Sequence, residues 1–161
     1  MNVVHRELAD RIRGTMSDLN LIVERVTRAW ARALEASDDQ DAYVDSAALN
    51  LHGFYSGLER LFEIIARQVD EQVPVGETWH RDLLLQMARD VPEIRPAVIS
   101  RDNAATLDEF RRFRHLVRNV YTVNMAPAKM SRIVSVLPDI WMELRAELSA
   151  FAEFTEDLGA Q

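Results

Sequence analysis

No cysteine occurs anywhere in the 161 residues, which removes disulfides, thiolate nucleophiles and Cys-based zinc sites together. A stapled secreted scaffold and a thiol enzyme are both excluded, and a reducing cytoplasm suits the chain. Glycine and proline are scarce, five of each, and with 48% hydrophobic and 28% charged residues the composition is that of a folded protein with a real core. No stretch approaches the roughly 18 apolar residues of a membrane span. The N-terminus, Met1-Asn2-Val3-Val4-His5-Arg6-Glu7, becomes charged before any apolar run that could serve as an export signal. The expectation is a cytoplasmic protein of one domain, residues 1–161, with no membrane association.

Other signatures are missing too. There is no Gly-rich phosphate loop and no Gly-x-Ser-x-Gly elbow, which removes the common nucleotide-hydrolase and serine-hydrolase motifs. The four histidines are far apart, with no His-x-x-x-His and no pair of Glu-x-x-His motifs, so neither metal nor cofactor is expected. No alternating β-branched run, internal repeat or low-complexity tract is present.

What is present is helical periodicity. Val4, Leu8, Ile12, Met16, Leu19, Ile22, Val26, Trp30 and Ala33 recur at steps of three or four, which predicts a first amphipathic helix. Ser37-Asp38-Asp39 offers capping acceptors for a second, whose apolar positions run from Val44 through Phe54, Tyr55, Leu58 and Phe62 to Val69. Within it Gly53 and Gly57 read as close-packing positions. A shorter third helix is predicted over 79–89, then a loop over 91–101 enforced by Pro92 and Pro96. Asp102 or Asn103 would cap a fourth helix running to about Val123. A fifth starts near Pro127, with a kink expected at Pro138. The economical fold is an all-α antiparallel bundle of about five helices.

Acidic residues are absent from one window. Between residues 110 and 138 there is no Asp or Glu, whereas Arg111, Arg112, Arg114, Arg118, Lys129 and Arg132 lie there, so the formal −7 of the chain divides into +6 here and −13 elsewhere. On a helical wheel Phe113, Leu116, Val117, Val120 and Val123 share a core arc. Arg114, His115, Arg118, Asn119 and Thr122 fall on the opposite arc, with Tyr121 at the boundary. Guanidinium groups fork onto phosphate oxygens and an imidazole exchanges protons near neutrality. Those are the requirements for cleaving RNA by internal transesterification.

The run Phe113-Arg114-His115-Leu116-Val117-Arg118-Asn119-Val120-Tyr121 resembles the HepT-like branch of the HEPN superfamily. The diagnostic segment there is Arg, a polar residue, three residues and His, extended in HepT toxins to Arg, four residues, His, one residue and Tyr. Arg114, His115 and Tyr121 match, while Asn119 stands at the motif His, and a carboxamide cannot transfer protons at neutral pH. The segments Leu49-Asn50-Leu51-His52-Gly53-Phe54-Tyr55-Ser56-Gly57-Leu58-Glu59-Arg60 and Trp79-His80-Arg81-Asp82-Leu83-Leu84 also resemble a HepT-like subfamily, so the likeness covers roughly residues 45–145.

The resemblance implies a HEPN-like fold and a homodimer whose motif helices face a shared cleft. It further implies a metal-independent endoribonuclease toxin acting on RNA and held in check by a minimal nucleotidyltransferase antitoxin. Arg114, His115 and Asn119 become the catalytic set, with His115 moving the proton. Arg111, Arg118 and His80 would contact substrate, His80 adding a second imidazole or else serving only as a surface or capping residue. Tyr121 would accept AMP from the antitoxin, or simply pack at the core's edge. The alternative function is a catalytically silent module docking the nucleotidyltransferase or a nucleotide through the same basic face.

Overall fold

The computed structural model describes residues 3–119 and 127–161, with residues 116–119, 127 and 129 described only as parts of their helices. Five helices follow in order: α1 (Val3–Glu35), α2 (Gln40–Gln68), α3 (Trp79–Met87), α4 (Arg101–Asn119) and α5 (Pro127–Ala160). Among the described residues there is no β-strand, only an isolated bridge between Val91 and Arg95.

The predicted apolar stripes become the core. Leu8, Ile12, Leu19 and Val26 of α1 pack with Leu51, Phe54, Leu58 and Phe62 of α2, and with Leu137, Trp141, Leu144 and Leu148 of α5. The pairs α1–α2, α1–α5 and α4–α5 run antiparallel, as their cross-contacts show. Arg13 meets Glu156 and Trp141 meets Asn20, while Asn103 meets Glu147 and Arg132 meets Glu109. Leu19 meets Gly57, where an added Cβ would come within 2.9 Å of the leucine Cδ2. The close-packing reading therefore holds at Gly57 and not at Gly53, where a Cβ would have nothing within 4 Å.

Several local expectations are corrected. Asp39 precedes α2 in a left-handed conformation (φ 60°) and makes no side-chain capping bond, while its backbone carbonyl closes the first turn by accepting from Ala42. Ser100, rather than Asp102 or Asn103, caps α4: its hydroxyl accepts from the Asn103 N–H. Glu147 of α5 accepts from the Ser100 N–H and the Asn103 carboxamide, which ties the start of α4 to α5. Pro138, the expected site of a kink, lies inside the span of α5.

The loop between α3 and α4 is fastened by a buried ion pair. Arg95, its side chain wholly excluded from solvent, donates from Nε (2.5 Å) and Nη2 (2.7 Å) to Asp70, just beyond the end of α2. Its remaining donors reach the carbonyls of Arg89, Pro96 and Gln86, and Gln86 donates to Asp70 as well (2.7 Å). This lock fixes α3 against α2, and so fixes the position of His80.

Candidate active site

Helix α2 carries one carboxylate in its apolar stripe. Glu59 lies four residues after Tyr55 and three before Phe62, both buried, and is itself only 5% exposed. A buried carboxylate needs partners, and two other helices supply them. Arg114 of α4 donates from Nη1 to Glu59 Oε1 (2.7 Å) and from Nη2 to Oε2 (3.2 Å), and His80 Nδ1 of α3 lies 2.8 Å from the same Oε2. The guanidinium sits over the Tyr55 ring, 5.0 Å from its centroid, and Trp79 stacks on the imidazole at 3.6 Å.

This arrangement assigns the imidazole tautomer. Arg114 Nη2 also stands 3.0 Å from His80 Nδ1, yet that nitrogen cannot accept from Arg114 while donating to Glu59. A lone pair facing a carboxylate oxygen at 2.8 Å would be repulsive, so Nδ1 carries the hydrogen and donates to Glu59. In the neutral ring Nε2 is then the basic nitrogen, as in sites where a carboxylate orients a working histidine. Two of the five guanidinium N–H groups of Arg114 go to Glu59, and among the described residues the other three have no acceptor. Burial, and next to it the Glu59 charge, pushes the Tyr55 phenol well above its ordinary range, so Tyr55 stays a neutral wall of the site.

The sequence placed Arg114 on a solvent-facing arc. It is instead buried, because α2 and α3 cover that side of α4. His115, the next residue, is exposed, and Phe113 is in the core as expected. Arg111 is partly exposed and donates to Asp108 (2.7 Å). The structure thus joins Arg114 to His80 through Glu59 and sets His115 and Arg111 on the same helix as Arg114. The side chains of Arg118 and Asn119 and the whole of Tyr121 lie outside the described residues.

The basic window is also less available than its count suggests. Arg111 and Arg112 share Asp108, Arg114 is matched by Glu59, and Arg132 pairs with Glu109 (3.1 Å). Asp108 and Glu109 lie just before the window, on the same helix, so a gap in acidic sequence does not make a gap in acidic surroundings. Sequence reasoning passed over Glu59. Its signal was readable, since a carboxylate in a stripe of buried apolar positions must have a partner.

The model of the HepT-like protein family matches residues 46–155, a span that contains Glu59, His80 and Arg114. The chain belongs to that family. No curated protein and no solved structure matches it. The HepT-like protein is thus an all-α member of the HEPN superfamily. Among its described residues no helix is long and apolar enough to cross a membrane.

Proposed function

We propose that this HepT-like protein is a metal-independent endoribonuclease toxin of a toxin–antitoxin pair, active as a homodimer with two motif helices facing one cleft. The observation that supports it most is the Glu59–Arg114–His80 cluster: a carboxylate-set imidazole beside a guanidinium with donors in reserve. In the reaction, the RNA 2′-oxygen attacks the adjacent phosphorus and the bond to the 5′-oxygen breaks, leaving a 2′,3′-cyclic phosphate and a 5′-hydroxyl. His80 Nε2 takes the 2′ proton and His115 returns one to the leaving oxygen. Arg114 stabilises the charge that grows on phosphate, Asn119 orients His115 or substrate, and Arg111 and Arg118 hold neighbouring phosphates. A second imidazole answers the loss of the motif histidine at Asn119.

Purified protein should cut single-stranded RNA in the presence of chelator, with cleavage lost in Arg114→Ala and His115→Ala at unchanged helical content. Cleavage that survives both substitutions overturns the assignment. One observation favours the second reading, a silent module: Arg114 is enclosed by Glu59 and Tyr55. Expression of the chain alone separates the two, because a toxin arrests growth and degrades RNA, whereas a docking module does neither.

Control is proposed to act at Tyr121, through AMP transferred by a minimal nucleotidyltransferase antitoxin. An added phosphate would neutralise nearby guanidinium groups and occupy the space of an RNA phosphate. Intact mass after co-expression with the transferase should rise by one AMP in wild type and not in Tyr121→Phe.

A further inference from the structure

A hollow of about 680 Å³ lies between α3 and α4. Its floor is apolar, formed by Leu84, Leu85, Ala88, Ala104 and Ala105, and Leu85 is 48% exposed. Three arginines, Arg81, Arg89 and Arg101, stand at its edge, all exposed. Among the described residues none of the three has an ion pair, in contrast to Arg111, Arg112, Arg114 and Arg132. Of the two acids at the edge, Asp108 is already countered by Arg111 and Arg112, and Asp82 accepts from the Thr78 hydroxyl.

We propose that this groove extends the contacts of Arg111 and Arg118 and binds the single-stranded RNA that flanks the cleavage site. Three features support that occupant. Unpaired guanidinium groups beside an apolar floor match a chain in which phosphates alternate with flat, apolar-faced bases. Arg81, which lines the groove, directly follows His80 on α3, one residue along the helix from the imidazole assigned to proton transfer. On its α4 side, Asp108 links the groove to Arg111 and so to the turn that carries Arg114. The inference rests on the ribonuclease reading for the identity of the strand, yet it concerns binding and can be tested without cleavage.

A second arginine-lined hollow supplies the control. Arg25, Arg28 and Arg32 of α1 border a smaller space of about 260 Å³ with Tyr43, Ser46 and Asn50 of α2, in the half of α2 that does not carry Glu59. Removing those three arginines changes net charge by the same amount as removing Arg81, Arg89 and Arg101. Long-range electrostatics alone would therefore give the two triple variants similar affinities.

The measurement is fluorescence anisotropy of a labelled 12-nucleotide 2′-O-methyl RNA, which cannot undergo transesterification, titrated with the full chain at several salt concentrations. The Arg81→Ala/Arg89→Ala/Arg101→Ala variant should bind at least tenfold more weakly than wild type. Its salt slope should fall by about 2, from roughly 0.7 per single-strand phosphate contact over three contacts. The Arg25→Ala/Arg28→Ala/Arg32→Ala variant should stay within about threefold of wild type, the scale of a screened distant charge effect. Equal losses in the two variants, no loss in the groove variant, or no RNA binding by wild type each overturn the proposal. So does a groove variant that binds RNA normally but no longer binds an acidic partner protein, because the groove is then a protein-docking surface. Groove-dependent binding without cleavage of natural RNA would defeat the ribonuclease reading and leave the groove standing. Cleavage and binding that ignore the groove would do the reverse.

Discussion

Replacing Glu59 and Arg114 by methionine, singly and together, separates what their pair does for stability from what it does for chemistry. Their side chains are 7% and 10% exposed, and each is the other's principal charged partner. Removing one partner of a buried pair leaves an uncompensated charge, at a cost of about 3–5 kcal/mol. In a domain of this size each kcal/mol lowers Tm by about 2–4 °C, so each single variant should melt about 6–20 °C lower. The double variant replaces both charges with apolar groups of similar length, a change that is often neutral, so it should lie within about 1 kcal/mol of wild type. His80, whose side chain is 30% exposed, can exchange its lost bond to Glu59 for water. Urea unfolding followed by circular dichroism reads the cycle, and RNA cleavage should be absent in all three variants. Strictly additive single losses in the double variant would refute the coupling inferred from the geometry, as would single losses below about 1 kcal/mol.

Asp70→Ala should destabilise by about 3–5 kcal/mol in urea unfolding, because buried Arg95 pairs with no other carboxylate among the described residues; a loss within 1 kcal/mol would show that the lock does not hold the α3–α4 loop. Gly53→Ala should stabilise by about 0.5–1 kcal/mol through helix propensity, with open space around the new methyl. Gly57→Ala should destabilise by about 1 kcal/mol net, since the buried Leu19 must move; equal effects at the two positions would contradict the packing. Folded Tyr55 keeps its proton above the ordinary phenol range, so its stability contribution is whole below the unfolded phenol's titration and is lost as pH climbs beyond it. Stability should thus begin to fall as pH rises through about 10, where free phenols ionise, and keep falling until the folded phenol ionises at its raised pKa. Tyr55→Phe should flatten that fall in urea titrations, and unchanged slopes would count against the burial.

Helices were legible because each apolar stripe repeats at the helical period and finds a facing stripe. Their ends were less so: Ser100, Asp102 and Asn103 are all competent caps by type, and only the Glu147 contacts from α5 favour a start at Ser100. The site was half legible. Arg114 and His80 could be named from the sequence, but the wheel that put Arg114 in solvent considered α4 alone, and its burial is decided by α2 and α3. The Asp70–Arg95 lock joins the end of a helix to a loop 25 residues on, a pairing that no local pattern announces.

The proposed function is metal-independent transesterification of RNA by this chain. Its most direct test is mass spectrometry of the products from a defined single-stranded RNA incubated with purified protein in excess chelator. Fragments ending in 2′,3′-cyclic phosphate and beginning with 5′-hydroxyl are expected, and none from Arg114→Ala or His80→Ala protein of unchanged helical content. Intact RNA, fragments bearing 3′-hydroxyl and 5′-phosphate ends, or cleavage only when a divalent metal is restored would contradict it.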